Sequence, residues 1–292
     1  MRQGNIVSME WVHTHLADSN VILVDCRFMM GGAAPDLGQR QYEEGHLPGA
    51  FYLDLDRDLS SPVGEHGGRH PLPHLDTLAA KFSSIGIDGS KHVVAYDDQG
   101  GMMASRLWWL LHYTGHAGGA SIMDGGYSAW VAREYPTTIE KPEPTSSATY
   151  VPQIDNRFVI HIDELRQEMT KPDVLLIDSR EAPRYRGEIE PIDPVAGHIP
   201  GAVNAFWKEA LNEQGTWRSA KEQKVRFAEL GADQAERIIV YCGSGVSACP
   251  NVIALQEAGY QNVRLYAGSW SDWISYSENP VATADEEERK DK

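Results

Sequence analysis

Short runs of aliphatic residues alternate with helical stretches along the 292 residues of this chain. The runs are rich in Val, Ile and Leu, whereas residues 103–112 and 248–258 have the length and composition of helices. Strands that alternate with helices in this way are typical of a parallel sheet covered by helices. The pattern therefore predicts an α/β fold. The predicted strands are residues 21–24, 93–96, 174–177 and 238–241.

The same series of segments occurs twice, which indicates two copies of one fold. The region between the copies, residues 136–152, is rich in Pro, Thr and Ser and nearly free of apolar periodicity. We therefore expect a first domain at 1–135, a linker at 136–152 and a second domain at 153–292. The matched segments are Asp25-Cys26-Arg27 with Asp178-Ser179-Arg180, Gly45-His46-Leu47-Pro48-Gly49-Ala50 with Gly197-His198-Ile199-Pro200-Gly201-Ala202, the strand before Asp97 with the strand before Cys242, and Gly125-Gly126-Tyr127-Ser128-Ala129-Trp130 with Gly268-Ser269-Trp270-Ser271-Asp272-Trp273.

Composition and charge narrow the range of functions. The formal charge of -16 disfavours nucleic acids and anionic membranes as partners, because clustered Lys and Arg bind such surfaces. No apolar run approaches the roughly 20 residues that span a bilayer, and the N-terminus has no signal-peptide pattern, so the cytoplasm is the expected compartment. The cysteines Cys26, Cys242 and Cys249 fit neither a disulfide framework nor a zinc site, and we expect free thiols.

Cys242 lies where parallel sheets bind ligands, after a predicted strand and before a predicted helix. The loop Cys242-Gly243-Ser244-Gly245-Val246-Ser247 combines two glycines with small hydroxyl residues, so that successive N–H groups can curl into an anion-binding nest. The nest and the helix dipole favour a thiolate. A cysteine taken alone is more often a buried packing residue, but strand, nest and helix together favour a nucleophile.

The matching position in the first copy is occupied by Asp97. A carboxylate cannot act as a sulfur nucleophile, and it would repel other anions from the loop. The first domain is therefore predicted to be a non-catalytic partner of the second.

Together these segments resemble the tandem rhodanese-domain sulfurtransferases. The resemblance extends from about residue 7 to residue 273 and rests on the strand ending in Asp-x-Arg, the Gly-His-x-Pro-Gly-Ala segment, the Cys242 loop and the closing Gly-x-x-x-x-Trp. It implies two rhodanese-like domains, each a parallel sheet flanked by helices. It also implies that Cys242 carries sulfur as a persulfide, without a metal or an organic cofactor.

The resemblance implies particular site residues as well. The start of the loop resembles the branch that uses 3-mercaptopyruvate, whereas the thiosulfate branch carries basic side chains at the second and third positions. Ser247 stands where both branches usually have Thr, and a second arginine common in the mercaptopyruvate branch is missing from residues 188–193.

The implied catalytic residues are Cys242, Ser244, His70 and Asp56, and the implied substrate-binding residues are Arg184, Gly243, Gly245, Val246 and Ser247.

The implied reaction is a double displacement. Cys242 takes sulfur from a small-molecule donor, 3-mercaptopyruvate, and passes it to cyanide or to a thiol acceptor such as thioredoxin or a small dithiol. Arg184 would bind the donor carboxylate through its planar fork of N–H groups. Ser244, with His70 and Asp56 behind it, would transfer protons.

Three other functions are compatible with parts of the sequence. Thiosulfate is an alternative donor with the same intermediate, and a persulfide-binding module without turnover is an alternative to an enzyme. A cysteine phosphatase is disfavoured, because it needs an arginine at the far end of the loop, where Ser247 and Ala248 stand.

Several polar or buried residues are instead expected to be structural, either because they occur in both copies or because they pack in a helix: His46, His198, Arg27, Arg180 and Cys249.

Overall fold

The computed structural model describes residues 4–30, 34, 36–144 and 148–283. The chain divides into two compact units. Because the second unit includes residues 62–72, the segment that carries His70 folds with the second copy although it precedes it in sequence. The predicted domain boundaries stay a prediction. The first unit takes the described residues within Met1–Ser61, Pro73–Asp155 and Glu213–Trp217, and the second takes those within Pro62–Leu72, Asn156–Asn212 and Arg218–Lys292.

The first unit is built on a five-stranded parallel sheet. Its strands are β1 (Ile6–Val7), β2 (Val21–Asp25), β3 (Phe51–Tyr52), β4 (His92–Tyr96) and β5 (Ala120–Met123). They are ordered β1-β5-β4-β2-β3, so that β4 is central. Its helices are α1 (Met9–Thr14), α2 (Leu37–Glu44), α3 (Leu75–Ser84), α4 (Met102–Tyr113) and α5 (Gly126–Ala132).

The second unit repeats this topology. Its strands are β6 (Val159–Ile160), β7 (Val174–Asp178), β8 (Val203–Asn204), β9 (Arg237–Tyr241) and β10 (Val263–Tyr266). Their order is β6-β10-β9-β7-β8, again fully parallel, with β9 central. Its helices are α6 (Ile162–Glu168), α7 (Ala182–Tyr185), α8 (Ala220–Ala228), α9 (Cys249–Glu257), α10 (Ser269–Trp273) and a 3-10 turn at Trp207–Ala210.

These sheets confirm the predicted α/β fold with two copies. The central strands β4 and β9 are buried at every position but the first, as expected for parallel strands with helices on both faces. Helix α9 packs on β9, β10 and α8, and helix α4 packs on β4 and β5. No helix in the described part of the chain combines the length and the apolar character that a bilayer crossing requires.

The register of the second sheet sets the position of the site. Strands β7 and β9 run parallel, with Asp178 opposite Tyr241, so both strands end at the same edge. The backbone N–H of Ser179 then donates to the carbonyl of Tyr241 at 2.8 Å. The chain that follows β7 therefore lies next to Cys242.

The residues duplicated in both copies have structural partners. Arg180 donates to both carboxylate oxygens of Asp178 at 2.6 to 3.1 Å, and Arg27 makes the matching contacts in the first unit. The rings of His46 and His198 each lie 2.7 Å from a backbone carbonyl oxygen. These contacts agree with the structural roles predicted for them.

Candidate active site

Cys242 is the first residue after the central strand β9, and its side chain is almost fully buried. Its Sγ accepts the backbone N–H of Gly245 at 3.2 Å, so the loop does curl an N–H group toward the sulfur. Gly245 has a φ of +75°, and the carbonyl oxygen of Ala267 occupies the space that a β-carbon there would need. Only glycine fits this turn without strain.

The hydroxyl of Ser269 also lies beside Cys242. Its Oγ accepts the backbone N–H of Cys242 at 3.1 Å and lies 3.9 Å from the sulfur. The same hydroxyl lies 2.9 Å from the carbonyl oxygen of Tyr266, to which it donates. Ser269 has a φ of +57°, a left-handed conformation that costs a residue with a β-carbon about 1–2 kcal/mol. The matching residue of the first copy is Gly126, with a φ of +71°, so the second copy has a serine at a strained position beside the nucleophile where the first copy has a glycine.

Ser269 was not among the residues predicted from the sequence. The signal for it was present in the repeat, where the first copy reads Gly-Gly and the second reads Gly-Ser. The difference points to Ser269 as a site residue only when the positive φ at position 269 is known.

His70 and Ser244 are brought together in the second unit. His70 Nδ1 lies 2.7 Å from Ser244 Oγ, and both side chains are buried. The segment that carries His70 is anchored on α10, because the N–H of Gly67 donates to Asp272 at 2.7 Å. The pair can pass a proton between ring and hydroxyl beside the cysteine loop.

Two guanidinium groups flank Gly243. A β-carbon at position 243 would lie 2.9 Å from Arg69 Nη2 and 3.7 Å from both Nη atoms of Arg184. Arg69 also forms an ion pair with Asp193, and Arg184 donates to the same carboxylate at 3.1 Å. The site therefore has two arginines at the start of the loop. Arg69 was not predicted from the sequence, although it directly precedes the predicted residue His70.

Two buried carboxylates, Glu190 and Asp193, lie beside these arginines. Burial alone would raise the pKa of Glu190, but hydrogen bonds from Arg184 and from the backbone N–H groups of Asp193 and Ile192 lower it below its usual range. The side chain of Asp193 is only 3% exposed. Arg69 and Arg184 are thus matched by two buried negative charges.

The remaining predicted residues occupy the following places. Gly243, Gly245 and Val246 are buried in the loop, and Ser247 is half-buried. Asp56 lies in the loop after β3 in the first unit, where its backbone N–H donates to Asp54 at 3.0 Å. Its role behind His70 stays a prediction.

Asp97 fills the equivalent loop of the first unit with its own carboxylate. One oxygen accepts the N–H groups of Gln99 and Gly101 at 2.8 and 2.9 Å, and the other accepts those of Met103 and Ala104 at 2.7 and 2.9 Å. Burial raises the pKa of Asp97, and the four N–H donors oppose that rise. This loop is an anion nest whose ligand is part of the chain.

The duplicated parallel sheets, with a cysteine loop after one central strand and an aspartate loop after the other, define a two-domain α/β protein with one cysteine site. The chain belongs to the rhodanese family, because the model of the rhodanese-like domain matches residues 8–133 and 161–276. The family predicted from the sequence is therefore confirmed.

Individual relatives carry two kinds of name. A probable 3-mercaptopyruvate sulfurtransferase of Pseudomonas aeruginosa is 40% identical over 98% of this chain and 100% of its own length. A putative thiosulfate sulfurtransferase of Mycobacterium tuberculosis is 37% identical over 91% of this chain and 92% of its own length. Among solved structures, the 3-mercaptopyruvate sulfurtransferase from Leishmania major has a TM-score of 0.78 at 29% identity, covering 92% of this chain and 73% of that chain.

Proposed function

We propose that this protein is a sulfurtransferase that takes sulfur from 3-mercaptopyruvate and carries it as a persulfide on Cys242. The observation that carries this choice of donor is the contact of 2.7 Å between His70 and Ser244 beside the cysteine loop. Loss of sulfur from 3-mercaptopyruvate leaves the enolate of pyruvate, which needs a proton, and a buried hydroxyl hydrogen-bonded to an imidazole is suited to supply one. Two relatives at 40% and 30% identity are named for the same donor.

In the first half-reaction, the thiolate of Cys242 attacks the sulfur of the donor. The carbon–sulfur bond breaks, and its electron pair remains on the carbon fragment as the enolate of pyruvate. The enolate takes a proton from the hydroxyl of Ser244, and His70 returns one to the serine. Cys242 is left with one additional sulfur.

Arg184 and Arg69 bind the carboxylate of the donor in this proposal. Both guanidinium groups lie within 4 Å of the β-carbon position at Gly243, the residue after the nucleophile. Paired N–H donors recognise a planar carboxylate well. The backbone N–H groups of the loop, including that of Gly245, stabilise the negative outer sulfur.

In the second half-reaction, an acceptor thiolate attacks the outer sulfur, and Cys242 leaves as a thiolate. Thioredoxin, a small dithiol or cyanide are the acceptors that we propose. Three free cysteines suit a reducing compartment, and we propose the cytoplasm. The first domain at 1–135 would be catalytically inactive by itself, because Asp97 stands at the position of the nucleophile, and the linker 136–152 would join it to the catalytic domain at 153–292. Residues 1–135 would nevertheless supply His70, with Asp56 supporting it.

Thiosulfate is the second candidate donor, and one observation favours it. Arg69 and Arg184 bring two guanidinium groups near Gly243, where the loop itself has no basic residue, although Glu190 and Asp193 balance their charge. A dianion with sulfite as its leaving group benefits from such charge. The mycobacterial relative named for thiosulfate points in the same direction.

Steady-state kinetics with both donors and a dithiol acceptor tests the proposal. We expect a higher kcat/KM for 3-mercaptopyruvate than for thiosulfate, and mass spectrometry should show one added sulfur on Cys242. Faster turnover of thiosulfate would reverse the donor assignment. Sulfur bound without turnover of either donor would instead support a persulfide-binding module.

A further inference from the structure

We infer that Asp193 determines donor specificity, because its charge neutralises the two arginines at Gly243. This inference rests on the proposed function, since it concerns the choice between a monoanionic and a dianionic donor. Asp193 does not touch the nucleophile. It acts through Arg69 and Arg184 and is therefore a positioning residue whose charge also sets the local field.

Asp193 holds both arginines at once. Its Oδ1 forms the ion pair with Arg69 Nη1, and its Oδ2 accepts Arg184 Nη2 at 3.1 Å. Arg69 Nη2 and Arg184 Nη1 remain directed toward the space above Gly243. One buried carboxylate thus fixes the orientation of two donor-binding groups.

The backbone holds Asp193 in this place. Its N–H donates to Glu190 Oε1 at 3.1 Å, and Glu190 in turn accepts Arg184 Nη2 at 2.6 Å. The side chain of Asp193 is 3% exposed, whereas that of Arg69 is 26% exposed. Water therefore screens the charge of Asp193 poorly, and its effect on a donor at Gly243 is stronger than that of a surface carboxylate.

The charges of this network cancel. Arg69 and Arg184 contribute two positive charges, and Glu190 and Asp193 contribute two negative ones. Arg180 also pairs with Glu190 at 3.3 Å, and its own charge is matched by Asp178, so the count stays neutral when this pair is included. A donor above Gly243 therefore meets directed N–H groups with no excess of positive charge.

A neutral network of this kind favours a monoanion over a dianion. Directed N–H groups give a carboxylate its hydrogen bonds whatever the net charge of the network. An additional net positive charge would stabilise a ligand in proportion to the charge of that ligand, so a dianion would gain about twice as much as a monoanion. Asp193 removes that advantage from thiosulfate.

Asp193→Asn is the direct test, because asparagine is nearly isosteric and keeps one acceptor oxygen. We expect the ratio of kcat/KM for 3-mercaptopyruvate to kcat/KM for thiosulfate to fall by about tenfold. Inhibition by sulfite, the product of thiosulfate cleavage, should become several-fold stronger. A residue with only a structural role would lower both activities and leave their ratio unchanged.

Glu188→Gln is the matched control. It removes one negative charge from the same segment, but Glu188 forms an exposed pair with Arg186 at 2.6 Å, outside the network. Its donor ratio should stay within about twofold of the wild type. A ratio that shifts equally in both variants would overturn the inference in favour of a general effect of net charge.

Two further variants keep the test decisive. The double variant Asp193→Asn with Arg69→Gln restores a neutral network, and its ratio should return toward that of the wild type. Arg69→Gln alone leaves the network negative and should raise the ratio of kcat/KM values, which provides a test if Asp193→Asn does not fold.

The failure of this inference can be told apart from the failure of the proposed function. An unchanged ratio in a folded, active Asp193→Asn protein would refute the role of Asp193 and leave the proposed function intact. A wild type that is inactive with both donors would refute the proposed function.

Discussion

His70 and Ser244 are 174 residues apart in the chain, yet His70 Nδ1 and Ser244 Oγ are 2.7 Å apart in the fold. Ser244 belongs to the cysteine loop, whereas His70 comes from the segment 62–72 that joins the second unit from the first half of the chain. Proton transfer in the proposed reaction therefore depends on two distant parts of the sequence. This dependence can be tested by removing each partner in turn.

Ser244→Ala and His70→Asn should each lower kcat/KM for 3-mercaptopyruvate by about 100-fold, because each removes the proton supply to the enolate. The double variant should be little worse than either single one, since the two groups act as a unit. Turnover of thiosulfate should fall much less, because sulfite leaves without being protonated.

His66→Asn is a suitable control for these variants. His66 lies in the same segment and contacts Ser275 at 2.8 Å, away from the cysteine loop. Its variant should retain most of the activity. Equal losses with both donors in the Ser244 and His70 variants would argue against the proton-transfer role.

Cys242→Ser should abolish sulfur transfer from every donor, because no other thiol occupies a loop after a central strand. Cys249 is fully buried at the start of α9, with Sγ 3.4 Å from the carbonyl oxygen of Gly245, and Cys26 is buried in the first unit. Cys249→Ser and Cys26→Ser should therefore keep most of the activity. Intact mass after treatment with donor checks this, and an added sulfur that persists in Cys242→Ser would contradict the mechanism.

Arg184→Ala should lower kcat/KM by about 10- to 100-fold, as expected for the loss of a charge-assisted contact of about 1.5–3 kcal/mol. The matched control is Arg186→Ala, because Arg186 pairs with the exposed Glu188 outside the site. Steady-state kinetics of the two variants should differ clearly. Equal kinetics in Arg184→Ala and the wild type would exclude the proposed contact with the donor.

Substitutions of Ser269 separate strain from function. Ser269→Ala and Ser269→Gly both remove the hydroxyl that accepts the N–H of Cys242, so both should lower activity. Glycine relieves the positive φ whereas alanine keeps it, so the glycine variant should be more stable than the alanine variant by about 1 kcal/mol. Thermal unfolding measures this difference, and a more stable alanine variant would show that the backbone at 269 is not strained.

Much of the fold follows from local sequence patterns. Helix α9 was expected at 248–258 and occupies Cys249–Glu257, and α4 was expected at 103–112 and occupies Met102–Tyr113. Strand ends were also predictable, because the apolar runs stop at polar or small residues. Cys242 could be found for the same reason, since its position depends only on the strand before it and the helix after it.

The arrangement around Gly243 could not be predicted in this way. Arg69 and Asp193 are 124 residues apart, and their pairing depends on how segment 62–72 packs on the second sheet. The second arginine common in the mercaptopyruvate branch is missing from residues 188–193, where the chain supplies Glu190 and Asp193. The second positive group enters the site from another segment, which no local pattern encodes.

The carboxylate of Asp97 has a consequence for spectroscopy. The four N–H groups that it accepts are those of an occupied anion nest, and strong hydrogen bonds to a carboxylate move amide proton resonances downfield. The amide resonances of Gln99 and Gly101 in the first unit therefore serve as an internal reference for an amide that binds a negatively charged group. When Cys242 acquires its outer sulfur, the resonance of the Gly245 amide should move toward the range of Gln99 and Gly101, while those two amides stay fixed. A single amide spectrum would then report the loading of the cysteine during turnover.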